Sequence, residues 1–358
     1  MPPAPETSDA LLAALRAALT QHRHPWTGAP LERLTDKGLA HDHVRLAGTG
    51  ALARIPKQSQ MRLGPAENLA YQAACFERAA LSAHTPRLLG QLAPSTHLPR
   101  GALLVEEIVG RPAQLPTDLD AIAQALAAIH ALPLPGPGAR APLLDAADPL
   151  VDLLDEIDAQ ARHLDAAAVA PAVLRQIEVQ RSELQALCAA PARPPRQLIA
   201  FDGHPGNFIV RRDGRAMLVD LEKCRYSYPG LDLAHATLYT STTWDIDSHA
   251  VLTLPQVLQC HAAWAAAVGG AAARAARPWW MPLRRGMWLW SITWCAKWRA
   301  LSQQPAAASA DSEDWSAARS DAALVAHVRD RVDHYLSPAV VAQVLDECEA
   351  LGRAPVFR

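Results

Sequence analysis

The segment AFDGHPGNFIVRRDGRAMLVDLE, residues 200 to 222, constrains this chain more than any other. It reads as a β-hairpin. LIAF approaches it, FIVRR and RAMLV are strand-like, and Asp213-Gly214 is a dipeptide suited to the turn. A two-residue loop there sets Asn207 directly opposite Asp220, with Cβ atoms roughly 4.5–5.5 Å apart. An Asn carbonyl and an Asp carboxylate at that spacing are hard oxygen ligands suited to Mg²⁺, which keeps other positions for water and phosphate. A bulge in the turn would move the pairing by one residue. Asp202 precedes Asn207 in the pattern D-x-x-x-x-N. Phosphoryl transfer needs that set: an Asp near the acceptor hydroxyl, with an Asn and a second Asp holding metal on the phosphates. Gly203, Pro205 and Gly206 let the loop fold tightly enough for both side chains to face one site. Taken alone, DGHPGN is a polar turn and Asp220 the end of a strand. The strand, the turn and the opposed acid together favour chemistry.

The rest of the chain must supply a frame for that hairpin. At 358 residues it is long enough for two lobes, each with its own core. An amphipathic helix is expected from residue 8 to 21, then a hairpin of HVRLA and ALARI around Gly48 to Gly50. A helix over 66–82 and a strand in GALLVEEIV come next. Beyond them the pattern turns helical: TDLDAIAQALAAIHAL with a Thr117 cap, two helices over 148–189, and most of the chain after the catalytic hairpin. The expected fold is α+β and bilobal. A small N-terminal β-sheet lobe occupies 1–108, and a larger, mainly helical lobe occupies 109–358.

Composition narrows the function class. A formal net charge of −2 argues against a nucleic-acid or anionic-membrane partner. Six scattered cysteines without a C-x-x-C pair suit a reducing compartment, and no long uncharged apolar run reads as a membrane span. The N-terminus has no signal-peptide pattern. The expectation is a cytoplasmic protein acting on a small molecule, of undetermined oligomeric state.

FDGHPGNFIV followed by MLVDLEKCRYSYPGLDLA resembles the catalytic segment of the aminoglycoside phosphotransferase and choline kinase family, which shares the protein-kinase-like fold. The resemblance implies ATP and Mg²⁺, Asp202 as catalytic base, and Asn207 and Asp220 as magnesium ligands. It also implies Asp232 as a structural residue at a helix start, which equally suits a plain N-cap. Glu222 reaches either the metal or only water. One departure stands out: Ala200 occupies the place of a His that usually supports the loop. His204 matches the second His of the family segment and suits a loop-stabilising role. In the first lobe LTDKGLAHDHVRLAGTGALARIPK is similar to the family's opening hairpin, with only Gly38 in its first turn. Arg54 stands where the family places a phosphate-binding cation, with Lys57 as a substitute. Glu67 is the expected acidic partner on the following helix, although Gln72 and Glu77 share that helix. Backbone groups at Glu106 to Ile108 would bind adenine.

The acceptor is less legible. Trp244, Asp245 and Asp247 offer an aromatic and acidic cluster for a cationic alcohol, or simply a helix start with solvated acids. Trp290, Trp294 and Trp298 recur every four residues and suit a helix face packed into the core better than an aromatic cage. Arg284, Arg285, Lys297 and Arg299 suit an anionic substrate or the wet side of that helix. Amino alcohols, aminoglycosides and sugar-like alcohols all remain acceptor candidates. Two other functions compete. Ala200 and the sparse glycine turn suit a nucleotide-binding pseudokinase. The pairs His41-x-His43 and Asp202-x-His204 suit a metal-dependent hydrolase. A protein kinase is disfavoured, because no D-F-G or A-P-E-like activation segment is present.

Overall fold

Five short strands with alternating apolar residues build residues 31–106 into one antiparallel sheet, flanked by two helices. In the computed structural model, residues 5–35, 38–305, 315 and 320–357 are described. The chain divides into two compact units. One comprises 1–80, 86–107 and 301–330; the other comprises 81–85, 108–300 and 331–358.

The first unit opens with α1 (Pro5–Gln21), followed by β1 (Leu31–Arg33), β2 (His41–Leu46) and β3 (Ala51–Pro56). Then come α2 (Pro65–Ala79), β4 (Leu88–Leu92) and β5 (Ala102–Glu106). The strand order is β1-β2-β3-β5-β4. Gly48 and Gly50 take φ of 78° and 70° in the β2–β3 turn, a left-handed backbone that glycine adopts without penalty. The period-2 pattern sorts the sheet's two faces. Ala51, Ala53, Ile55, Ala102 and Leu104 join Leu15, Ala18 and Leu19 of α1 in one core. Leu103 of β5 and Arg54 of β3 are register partners on the other face. The anticipated β2–β3 hairpin and both helices are present. In the β1–β2 turn, where Gly38 was noted, residues 36 and 37 lie outside the described residues.

The second unit is mainly helical. It contains β6 (Arg111–Pro112), α3 (Leu119–His130), α4 (Pro149–Ala161), α5 (Pro171–Ala189) and β7 (Gln197–Ile199). The hairpin of β8 (Phe208–Val210) and β9 (Ala216–Leu218) leads to β10 (Arg225–Ser227) and α6 (Pro229–Thr237). After these lie α7 (Tyr239–Thr242), α8 (Leu254–Val268), α9 (Gly270–Ala276), α10 (Trp280–Leu301), α11 (Ala322–Tyr335) and α12 (Pro338–Gly352). Ile122, Ala123, Leu126 and Ile129 of α3 are fully buried, and α3 packs on α8, α6 and β9, at the centre of this unit. Its N-cap is Asp118 rather than the anticipated Thr117. The Asp118 carboxylate instead takes Arg111 and the Gln114 amide at 2.5 and 2.6 Å, an ion pair that a Thr hydroxyl cannot form. Among the described residues no helix is long and apolar enough to cross a membrane.

Candidate active site

The loop carrying Asp202 is shaped by one buried carboxylate. β7 pairs with β10, Ile199 opposite Arg225, and delivers the chain to Ala200 and Phe201. Asp232, in the first turn of α6 and fully buried, accepts the Ala200 and Phe201 amides, both at 2.7 Å. His130 of α3 donates from Nε2 to the same carboxylate at 2.9 Å, and Trp264 of α8 donates to His130 Nδ1 at 2.9 Å. The bonds to Asp232 hold Phe201 at φ +61°, a conformation that costs a residue with a side chain about 1–2 kcal/mol. Asp232 is therefore the loop's anchor. An imidazole from α3 thus braces the carboxylate that holds the Ala200 amide. His130 escaped the sequence reading, though it is a polar end to the otherwise apolar run LDAIAQALAAIH.

Past Phe201 the loop closes on itself. Asn207 donates from Nδ2 to the Asp202 carbonyl at 2.9 Å, and the Asn207 amide bonds the His204 carbonyl at 3.0 Å. With its amide nitrogen engaged inside the loop, the Asn207 side chain keeps Oδ1 as an acceptor. Gly206 is needed here because a Cβ would lie 2.6–2.8 Å from side-chain atoms of Asp245.

The β8–β9 register corrects the expected pairing. Phe208 faces Leu218 and Val210 faces Ala216, so Asn207 stands opposite Val219, whose amide bonds the Asn207 carbonyl at 2.9 Å. The turn has a three-residue loop. Gly214 takes φ +83° after a turn closed by its bond to the Arg211 carbonyl, and this adds one residue to the anticipated loop. Asp220 consequently lies beyond the register in the segment leaving β9, half-buried like Asn207. Its charge, with that of Glu222, acts on Lys223. An amide carbonyl and a carboxylate fit Mg²⁺, which takes few protein ligands. Among the described residues no cluster of three His, Cys, Asp or Glu side chains offers a site for a metal held by protein alone.

Lys223 dominates the surroundings of Asp202. Its Nζ lies 2.7 Å from Asp202 Oδ2 and 5.6 Å from the Trp290 ring centroid. His235 Nδ1 and His204 Nε2 lie 3.7 and 3.9 Å from Asp202 Oδ1. Burial works to raise the Asp202 carboxyl, but Lys223 first, then His204 and His235, outweigh it and hold the group below the usual carboxylate range. Burial pushes His235 down to about 4, so at neutral pH that ring is uncharged and bonds the Phe201 carbonyl at 3.2 Å. Lys223 is thus the cation that keeps Asp202 ionised. The sequence reading missed it, since a Lys three residues past Asp220 has no signature without the fold.

Trp290 is oriented by Glu156, which accepts its Nε1–H at 2.8 Å and is also held by Arg225. Its ring meets Phe201 edge-on at 5.2 Å. Trp298 is core, as the spacing predicts, whereas Trp294 meets Trp244 at 5.7 Å. Trp244 also stacks on Tyr335. Asp245 accepts the Asp247 and Ser248 amides at 2.8 and 2.9 Å, so it organises its own loop. Of the basic residues on α10, Arg284 is fully buried against Thr237 and Glu347, Arg285 pairs with Glu183, and Arg299 pairs with Asp333. These partners account for three of the four cations as packing elements.

In the sheet unit Arg54 is buried beside the Phe76 ring, with His43 at 3.4 Å. Of the three candidates on α2, Glu67 and Glu77 are exposed. Gln72 faces inward and bonds His41 Nε2 at 3.0 Å. Lys57 is buried, 3.7 Å from Asp42. The Glu106 and Glu107 amides bond the Arg87 and Gly50 carbonyls at 2.9 and 2.8 Å, so the backbone leaves the sheet at Ile108.

The family model for the phosphotransferase enzyme family matches residues 32–267. Three solved structures share the fold. A choline/ethanolamine kinase family protein from Mesorhizobium loti is 20% identical, with 97% of this chain and 96% of that chain covered and a TM-score of 0.57. An ethanolamine kinase from Plasmodium vivax is 13% identical, with 88% and 84% covered and a TM-score of 0.59. An ADP-bound aminoglycoside phosphotransferase is 14% identical, with 91% and 99% covered and a TM-score of 0.51. No curated protein matches the sequence.

Proposed function

Because the chain belongs to the phosphotransferase enzyme family, we propose that it moves the γ-phosphoryl group of ATP to a hydroxyl of a small molecule. Amino alcohols, aminoglycosides and sugar-like alcohols are the acceptor classes, in keeping with the kinases whose fold it shares. One observation carries the reading. A single loop, closed by the Asn207-to-Asp202 bond, presents an ionised carboxylate at one end and an amide oxygen at the other.

Asp202 orients the acceptor hydroxyl and takes its proton as the new bond to phosphorus forms. Its carboxylate is a weak base by virtue of Lys223. That suits a loose transition state, in which the hydroxyl becomes acidic only as the bond to phosphorus develops. Asn207 and Asp220 would hold Mg²⁺, whose chemistry here is to draw charge from the nucleotide phosphates. In the sheet unit Arg54, with Lys57 as the nearby alternative, would bind phosphate. The strand end from Glu106 to Ile108 would receive adenine, and Glu67 remains the proposed acid of α2. Six free cysteines suit the reducing conditions of a cytoplasmic location.

Thermal-shift titration with ATP, GTP and ADP, with and without Mg²⁺, tests the premise, since a ligand at 100 times its Kd stabilises by about 2.7 kcal/mol. A magnesium-enhanced shift is expected. Asp202→Ala should abolish transfer and keep nucleotide binding, while Asp220→Ala should lose the magnesium dependence. Full transfer by Asp202→Ala overturns the mechanism. A nucleotide-binding pseudokinase is the alternative reading, motivated by Ala200 and the sparse glycine turn; the His130 bond to Asp232, which holds the Ala200 amide, speaks against it.

A further inference from the structure

We propose that the cavity between α5, α10 and α12 is a second ligand site, built for a neutral, largely apolar molecule that carries a lactam or carboxamide group. The cavity measures about 530 Å³, within the roughly 300–1,000 Å³ of small-molecule sites. Its residues come from one stripe of α5, the first turns of α10 and the last turn of α12. None of them belongs to the loop that carries Asp202 and Asn207. Along α10, Met281 and Arg285 precede Trp290, the residue beside Lys223, by about 14 and 8 Å of helix rise. The site therefore stands apart from that loop and needs nothing from the phosphotransferase reading.

One side chain gives the cavity its chemistry. Leu184, Leu187, Met281 and Pro282 make its wall largely apolar. Val173, Ile177, Gln180 and Leu184 form the buried stripe of α5, and Gln180 is the one polar member. It lines the cavity and is only 6% exposed, yet among the described residues its Oε1 has no hydrogen-bond partner. A buried acceptor without a donor is costly, and native interiors almost always supply one. A polar amide kept in an apolar stripe, at the wall of a cavity, is a recognition group for something that enters there. A half-turn about its last bond presents either the oxygen or the nitrogen to the cavity. The complement is a donor and an acceptor side by side, as in a lactam or carboxamide.

The charged residues around the cavity set the charge of the ligand. Glu183 of α5 pairs with Arg285 of α10 at 2.6 Å. Glu349 and Arg353 of α12, both exposed, add one acid and one base. Two acids and two bases cancel, so the entrance favours neither an anion nor a cation. A charged ligand would also lose its hydration against the apolar wall. A neutral ring or chain with one amide edge loses little and meets Gln180.

Isothermal titration of the full chain with carbostyril, a bicyclic lactam, and with N-methylcarbostyril tests the assignment. The two probes share their rings and differ at the N–H. Carbostyril should bind, about tenfold more tightly than its methylated form. Gln180→Met keeps the side chain's length and removes the amide, so it should bind both probes equally, at the weaker affinity. Its urea midpoint should stay level or rise, because the lost acceptor had no partner. Gly352 lines the cavity, and a Cβ there meets nothing within 4 Å. Gly352→Trp should therefore fill the space and abolish binding of both probes while the protein stays folded. Failure of the wild-type protein to bind carbostyril up to its solubility overturns the proposal. So does undiminished binding by folded Gly352→Trp, or a tenfold preference that survives in Gln180→Met. A lowered urea midpoint in Gln180→Met means that a held water already serves the amide, with the same consequence.

Discussion

Replacing Asp232 by Asn tests what holds the catalytic loop, because it preserves shape and removes one acceptor atom. Three donors converge on the carboxylate: the Ala200 and Phe201 amides at 2.7 Å and His130 Nε2 at 2.9 Å. Trp264 donates to His130 Nδ1, so the imidazole proton sits on Nε2 and cannot move to relieve a conflict. An Asn side chain has a single carbonyl oxygen, and its NH₂ must face at least one of these donors. The least costly orientation keeps Ala200 and His130 satisfied and sets NH₂ against the Phe201 amide. A hydrogen bond to a charged group is worth about 1.5–3 kcal/mol. Phe201 also loses the contact that holds it at φ +61°, where it sits about 1–2 kcal/mol uphill. The strain is present before the substitution as well, so the loss is that of the bond, about 1.5–3 kcal/mol, still a sizeable fraction of an ordinary protein's stability. Urea unfolding at pH 7, followed by tryptophan fluorescence, reads it directly. Phosphoryl transfer should fall further than nucleotide binding, since the loop carries Asp202. A stability change below about 1 kcal/mol, with transfer intact, would refute the anchoring role.

Three other outcomes are expected from particular contacts. Gly206→Ala should displace the loop, because the new Cβ meets Asp245, which is itself tied to the Asp247 and Ser248 amides. The expected cost is about 1–3 kcal/mol with reduced transfer, measured by urea unfolding and steady-state kinetics. His130→Ala should leave the Trp264 Nε1–H and one site on Asp232 without a partner, for roughly 2–4 kcal/mol; imidazole added to the variant should recover part of its transfer rate. Burial pushes His261 of α8, packed against Trp280 and Phe357, from 6.5 down to about 3. The unfolded chain therefore takes up this proton before the folded one does. Stability is complete above pH 6.5 and falls with pH, by about 3 kcal/mol at pH 4 from this group. His261→Phe should flatten the pH dependence of urea unfolding by that share; an unchanged slope would contradict the assignment.

Local pattern alone was enough to reveal the β8–β9 hairpin, the α1 and α2 helices, the β2–β3 turn at Gly48 to Gly50, and the division of a strand-rich part from a larger helical part. Each depends on neighbours in sequence: a turn dipeptide, a period of two or of 3.6, a run of small polar residues between strands. The motif D-x-x-x-x-N likewise spans a single loop, so Asp202 and Asn207 could be named from sequence. The hairpin register shows where locality ends. Asp213-Gly214 suits both a two-residue and a three-residue loop, and only the observed pairing of Phe208 with Leu218 distinguishes them.

The features that the sequence could not determine come from residues far apart along the chain. His130 reaches Asp232 across 102 positions, and Trp264 reaches His130 across 134. Lys223 meets Asp202 across 21 positions, over a tryptophan from a later helix. Which of Glu67, Gln72 and Glu77 turns inward depended on which side of α2 the sheet buries: Gln72 is buried and both acids are exposed. The basic residues of α10 became packing elements once Thr237, Glu183, Glu347 and Asp333 arrived beside them. Spacing determined which residues the sequence offers for the proposed chemistry. The charge each one bears, and the direction in which it is aimed, were decided by burial and by partners that only the folded chain brings together.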